Sequence, residues 1–447
     1  MKPNKVATIN RYRSRFRQLS RLAARLTLLA SLAGGALLAS GLLLACGFGL
    51  SQPEVVRIGV LYPLSGSQEA TGIDLKNGID LALEVVNGEF DLDLPLARSA
   101  GLPNLGGARL ESVLADHAGS ADQAVTEMRR LLEQGDLTAW LGCYNSSVTQ
   151  AASQVAEAAG VPFLNPDSTA AVLTERGYRW FFRTTADDSI FVQNFFEFLA
   201  DVETRQGVEL DSAAVVYENS LFGTGVAQLE VEQAQQQGMR VVANVPYAAD
   251  TTDVAVEVQE IMQANPQLVM QASYQSDAIL FMQTYKEMGY RPEALLAMDA
   301  GFISPAFVQT LGDDANYVLS REVWAPDIGG DRPLVQQVND LYRERYGTNL
   351  TGNSARSFTG MIVLADAINR AGSTAPDDIR QALLETDIPA EQLIMPWLGV
   401  RFDQKTGQNT LARGIIVQIQ DQAYHTVWPW DLASHDLIWP MPDWGAE

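Results

Sequence analysis

The residues best suited to chemistry are short hydroxyls gathered in two turns. One is Tyr144-Asn145-Ser146-Ser147, which follows the apolar run Trp140-Leu141 and leads into a helical pattern; the other is Asn165 to Thr169, after the apolar run Val161 to Leu164. In a parallel sheet, loops that follow neighbouring strands open on one edge, so the two turns face each other across a crevice. A turn that opens a helix also presents unpaired N–H groups and the positive end of the helix dipole, which suit a carboxylate. Ser146, Ser147, Ser168 and Thr169 add groups that both donate and accept. Hydroxyls in such turns also cap helices without any ligand, so one turn alone carries little weight. Catalytic patterns are missing: His117, His425 and His435 have no metal-ligand spacing, Cys143 has no nearby histidine in the chain, and there is no G-x-S-x-G or P-loop. Neither enzyme activity nor a cofactor nor a metal is expected.

The elements that must position these turns are short β-rich runs alternating with helical patterns from Val55 onward. That alternation predicts an α/β fold with parallel, doubly wound sheets. After Thr185 the series starts again, and 447 residues exceed what one hydrophobic core supports, so two lobes are expected. NYVLSREVWAP (316–326) reads as the return to the first lobe, LIMPWLGVRF as a further crossing, and RGIIVQIQ as a strand of the second lobe.

The block LGCYNSSVTQAASQVAEAAGVPFLNPDSTAAVLTERGYRWFFRTT resembles the ligand-loop region of type I periplasmic binding proteins, specifically the branched-chain amino acid and amide receptors of ABC importers. RIGVLYPLSG, VVYENSLFGTGVA, ASYQSDAILFMQTYKEMGY and MPWLGVRFDQKTGQN extend the similarity over Val55 to Trp428. The resemblance implies two lobes joined by a three-strand hinge: 55–186 with 325–395, and 187–324 with 396–430, followed by a tail, 431–447. It implies a monomeric receptor that closes on a small apolar amino acid and delivers it to membrane permease subunits. Amides, urea, small carboxylates, or a sensing role on the same fold are the alternatives. Carried onto matching positions, contacts to the ligand's carboxylate and ammonium fall on Ser146, Ser147, Ser168 and Thr169. Phe222 stands where the family usually has Tyr, which removes a hydroxyl and leaves an apolar wall; Tyr274 matches an aromatic that closes over the ligand. Thr71 and Phe358 match wall positions of the first lobe. Asp299, in Met298-Asp299-Ala300-Gly301, lies a residue or so from where the family places its ammonium partner.

Composition narrows the setting. The net charge is −23 even though residues 1–45 carry eight Lys or Arg and no acid, so the remainder is more acidic still and nucleic-acid binding is excluded. Residues 1–25 are basic and 26–45 apolar, the pattern of an export signal, although about 20 apolar residues also span a bilayer. Leu43-Leu44-Ala45-Cys46 resembles a lipobox, which implies lipid on Cys46 and a location in the periplasm or on the outer face of the cytoplasmic membrane.

Overall fold

The computed structural model describes residues 53–330 and 332–445. The stretch read as an export signal and Cys46 lie outside the described residues. Among those described, no helix is long and apolar enough to cross a membrane.

The first βα series runs β1 (Val55–Tyr62), α1 (Glu69–Asn87), β2 (Arg109–Asp116), α2 (Ala121–Leu132), β3 (Ala139–Gly142), α3 (Ser146–Ala159), β4 (Phe163–Asn165), α4 (Val172–Glu175) and β5 (Phe181–Arg183). Its five strands form a wholly parallel sheet in the order β2-β1-β3-β4-β5. Both faces of such a sheet are covered, so its strands read as near-continuous apolar runs rather than alternating ones. In β1, Val56, Ile58 and Val60 pack on one side, while Leu61 joins Trp140 and Cys143 on the other.

The second series runs α5 (Asp188–Gln206), β6 (Ser212–Glu218), α6 (Leu221–Gln237), β7 (Arg240–Tyr247), α7 (Ala255–Ala264), β8 (Leu268–Ala272), α8 (Gln275–Glu287), β9 (Ala294–Ala297), α9 (Pro305–Leu311) and β10 (Leu319–Glu322). The chain then returns to the first lobe as α10 (Pro333–Tyr346), α11 (Gly352–Ala371) and α12 (Pro376–Leu384), with α11 packed along α1. Two short strands, β11 (Ile388–Pro389) and β12 (Gly399–Val400), pair with each other before β13 (Ile415–Gln420) and β14 (Ala423–Trp428) re-enter the second lobe. The second sheet has the order β14-β13-β10-β9-β8-β6-β7, parallel from β10 to β7 and antiparallel at β13 and β14.

Three details differ from the reading of the sequence. The strand within 316–326 is only Leu319–Glu322 and belongs to the second sheet, so Val323 onward is what leaves it. β14 was not expected, because its tyrosine, histidine and threonine break a clean apolar alternation; it completes a hairpin on β13. The end of the chain lies on the second lobe: Trp428, which ends β14, and Trp430 both donate their indole N–H to Asp201 Oδ2, at 2.8 and 3.1 Å, and Trp444 in the tail donates to the Tyr290 carbonyl at 2.9 Å.

Candidate functional site

Parallel strands deliver their following loops to one edge, and here both lobes turn that edge toward a shared cavity. Tyr144 and Ser146 follow β3, and Asp167, Ser168 and Thr169 follow β4; from the other lobe Phe222 follows β6, Tyr274 follows β8, and Asp299 and Ala300 follow β9. Arg321, within β10, and Arg356, on the first turns of α11, complete the lining. The space between these residues is about 260 Å³, counting the part open to solvent at its mouth.

Hydroxyl supply around the cavity is uneven. Ser168 Oγ is consumed internally, in contact with Thr149 Oγ1 at 2.6 Å and with the carbonyls of Cys143 and Tyr144 at 2.9 Å each. Ser146 Oγ has only a long contact, accepting from Ala170 N at 3.4 Å, and it sits at the first residue of α3 where helix N–H groups are unpaired. Tyr144 Oη is buried without a partner among the described residues. An aromatic wall faces these groups: the Tyr274 ring lies 5.7 Å from that of Tyr144 and 5.6 Å from that of Phe222.

The charged floor of the cavity is the main surprise. Asp299 does line the cavity, yet its Oδ2 accepts from Arg321 Nη1 at 2.5 Å and from Arg356 Nη1 at 2.9 Å, while Oδ1 accepts from Ala300 N at 2.7 Å. Asp299 and Ala300 both have positive φ, 55° and 52°, a conformation that non-glycine residues hold only when their surroundings enforce it. Both arginines are 1% exposed, so their ion pairs are largely beyond the screening of solvent. Arg321 also lies 3.5 Å from the centre of the Phe191 ring, a cation–π contact. Arg356 Nη2 donates to Asn353 Oδ1 at 2.6 Å, whereas its Nε is buried with no hydrogen-bond partner among the described residues, 3.7 Å from Asp167 Oδ1. Burial pushes the Asp167 carboxyl up to about 7 against the pull of Arg356, although Tyr62 donates to it at 2.8 Å. Burial likewise raises Asp188 to about 6, and Glu322 well above the usual carboxylate range. Burial thus works against the charge of these acids beside two buried arginines, and an anion entering the cavity would meet Arg321 and Arg356 on its floor.

Six of the nine residues expected from the sequence are thus gathered at one cavity: Ser146, Ser168, Thr169, Phe222, Tyr274 and Asp299. Three do not line it. Ser147 is the second residue of α3 and turns to its half-buried flank; Phe358 is fully buried in the core. Thr71 lies on α1 and bonds across to the other lobe, its Oγ1 donating to Gln275 Oε1 at 3.0 Å. Tyr144, Asp167, Arg321 and Arg356 were missed. The one available signal was an arginine standing inside an apolar helix or strand pattern, where an unpaired charge is expensive.

Two lobes of parallel sheet closing on a polar cavity define a solute-binding protein. A family model described as periplasmic binding protein matches residues 55–423, and the chain belongs to that family, a family of substrate-binding proteins for transport rather than enzymes, which places it outside the cytoplasm. A Leu/Ile/Val-binding protein homolog 7 of Brucella abortus (strain 2308) is 30% identical over 396 residues, covering 86% of this chain and 94% of the relative. The fold is that of a leucine binding protein, LivK, from Thermotoga maritima MSB8, at a TM-score of 0.72 and 20% identity over 83% of this chain and 98% of that one. It is also that of a solute binding protein from R. palustris in complex with benzoate, at a TM-score of 0.68 and 15% identity over 83% and 95%.

Proposed function

We propose that the chain is the receptor of an ABC importer, and that its cavity takes a small carboxylate-bearing solute and hands it to membrane permease subunits. The observation that carries this reading is a cavity lined from both lobes, with the start of α3, the Thr169 hydroxyl, Arg321 and Arg356 all on its walls. An apolar amino acid is the first candidate, in keeping with the Leu/Ile/Val-binding names of its relatives and with the Tyr144, Phe222 and Tyr274 wall. The chain acts as a monomer tethered through lipid on Cys46.

A second ligand reading is favoured by the engagement of Asp299. Both of its oxygens already accept hydrogen bonds, and a buried ammonium left without a partner costs several kcal/mol. A carboxylate lacking an amino group avoids that cost, and benzoate, bound in the R. palustris protein, is one. Thermal-shift and calorimetric titration with leucine, isoleucine, valine, benzoate, amides and urea tests both. A ligand at 100 times its dissociation constant adds ~2.7 kcal/mol of stability. Asp299→Asn then separates the readings: amino acid affinity falls at least tenfold if the ammonium rests there, while affinity for a plain carboxylate holds or rises. Absence of binding by every one of these solutes would overturn the proposal.

A further inference from the structure

The chain has three histidines, and the fold brings two of them into contact outside the cavity. His425 is on β14 and His435 in the tail, with ring centroids 3.6 Å apart and planes inclined by 33°. Beside them is Asp327, on the segment by which the chain leaves β10, with its Oδ2 3.9 Å from His425 Nδ1. One ligand atom from each of the three residues lies within 4.8 Å of the others. We propose that Asp327, His425 and His435 form a binding site for a divalent transition-metal cation of the zinc or nickel class.

Four observations carry the assignment. First, the donor set is two imidazoles and one carboxylate, which suits borderline cations and leaves a further coordination position for water. Second, His425 Nδ1 is buried with no hydrogen-bond partner among the described residues, so it faces Asp327 with its bonding capacity unused. Third, the carboxylate is held as a metal-ligating carboxylate is, by groups behind it: Asp327 Oδ2 accepts from Thr426 N at 2.6 Å and from Ser434 Oγ, and Oδ1 accepts from Thr426 Oγ1 at 2.7 Å. Ser434 Oγ also contacts His435 Nδ1 at 2.9 Å, so one hydroxyl orients two of the three ligands. Two of these bonds fall on Oδ2 and one on Oδ1, so the lone-pair direction left for the cation is on Oδ1. Fourth, there is an entry path, because Asp327 and His425 line an open hollow beside the hinge together with Trp324 and Tyr424.

Zinc–nitrogen bonds of ~2.0–2.1 Å set neighbouring tetrahedral ligands ~3.3 Å apart, so binding requires the exposed His435 ring to swing in and the His425–Asp327 pair, now 3.9 Å apart, to draw closer. A bound cation would join three separate stretches: the crossing segment after β10, the edge strand β14, and the tail. Its consequence is a firmer anchorage of the tail to the hinge side of the second lobe.

The test is titration calorimetry and thermal shift on the tag-free, chelator-treated chain with ZnCl2, NiCl2 and, as a control, MgCl2. Zinc and nickel should bind one to one and raise the midpoint; magnesium should do neither. His435→Ala, at an exposed position, should keep the fold by circular dichroism and weaken zinc by at least tenfold. Ser434→Ala should weaken it by a similar factor while leaving all three ligands in place. Failure of both zinc and nickel to bind, or zinc affinity unchanged in the His425→Ala, His435→Ala double variant, would overturn the assignment.

Discussion

Thr169 and Ser147 illustrate how finely the residue scale divides ligand candidates that look alike in sequence. Thr169 is 4% exposed and lines the cavity, whereas Ser147, with the same kind of hydroxyl, faces away from it. Thr169→Ala should therefore cost ~1.5–3 kcal/mol of binding to a charged ligand group, and Ser147→Ala almost nothing, by calorimetry on the two variants. Equal losses, or none in either, would remove the turn after β4 from the site. Glu218 provides a second test at this scale, through pH. It is buried at the end of β6, accepts from Gly223 N at 3.3 Å, and leaves Oε2 without a partner among the described residues; burial raises its carboxyl to about 7. The unfolded glutamate titrates near ~4.3. Because the folded state holds the proton more tightly, this contribution to stability is complete below that value and is lost as pH rises toward 7. Glu218→Gln should flatten the fall of the thermal midpoint between about pH 4.5 and 7, and an unchanged slope would assign that pH dependence to other groups.

At the scale of elements, the site depends on close approach of backbone to backbone. The helix α1 presses on the loop after β1 at Gly72, where an added Cβ would collide with the carbonyl of Pro63, and on α11 at Gly78, where it would meet the Ser354 carbonyl. Since α11 carries Arg356, displacing α1 displaces the floor of the cavity. Gly72→Ala should destabilise by ~1–3 kcal/mol through overpacking, despite alanine's better helix propensity, as denaturant unfolding would register. A stabilised variant would mean that the loop yields freely. The start of α11 is itself well defined: Thr351 caps it and shares a reciprocal capping box with Ser354, which fixes the turn from which Arg356 projects.

Across the whole molecule, the two lobes are latched by few direct polar contacts around the cavity. Gln275 of the second lobe accepts from Thr71 Oγ1 at 3.0 Å and donates to the Ser67 carbonyl at 3.4 Å, while its own lobe steadies it through Ser304 Oγ at 2.6 Å. The Arg356–Asp299 pair is another such latch. Gln275→Ala should speed ligand release roughly fivefold, the equivalent of ~1 kcal/mol of lost hydrogen bonding, with little change in the stability of the unliganded chain. Stopped-flow dissociation measures this directly. An unaltered release rate would place control of opening elsewhere.

What the sequence determined by itself was the alternating βα order, the two lobes, and the ligand edge, because strand and helix periods and turn chemistry are local properties of neighbouring residues. It also marked Ser146, Thr169, Phe222, Tyr274 and Asp299, which all stand just beyond parallel strands. Tertiary structure alone decided what Asp299 bonds to, since Arg321 is 22 and Arg356 57 residues away in the chain. It alone set apart Thr71 and Phe358, whose orientation follows from how α1 and α11 pack rather than from their own neighbours. The same holds for Asp327 and His425, which no motif spacing could connect across 97 intervening positions but which the pairing of β10 with β13 and of β13 with β14 brings together. Charge partners and ligand sets are chosen by proximity in space, and distance along the chain does not encode it.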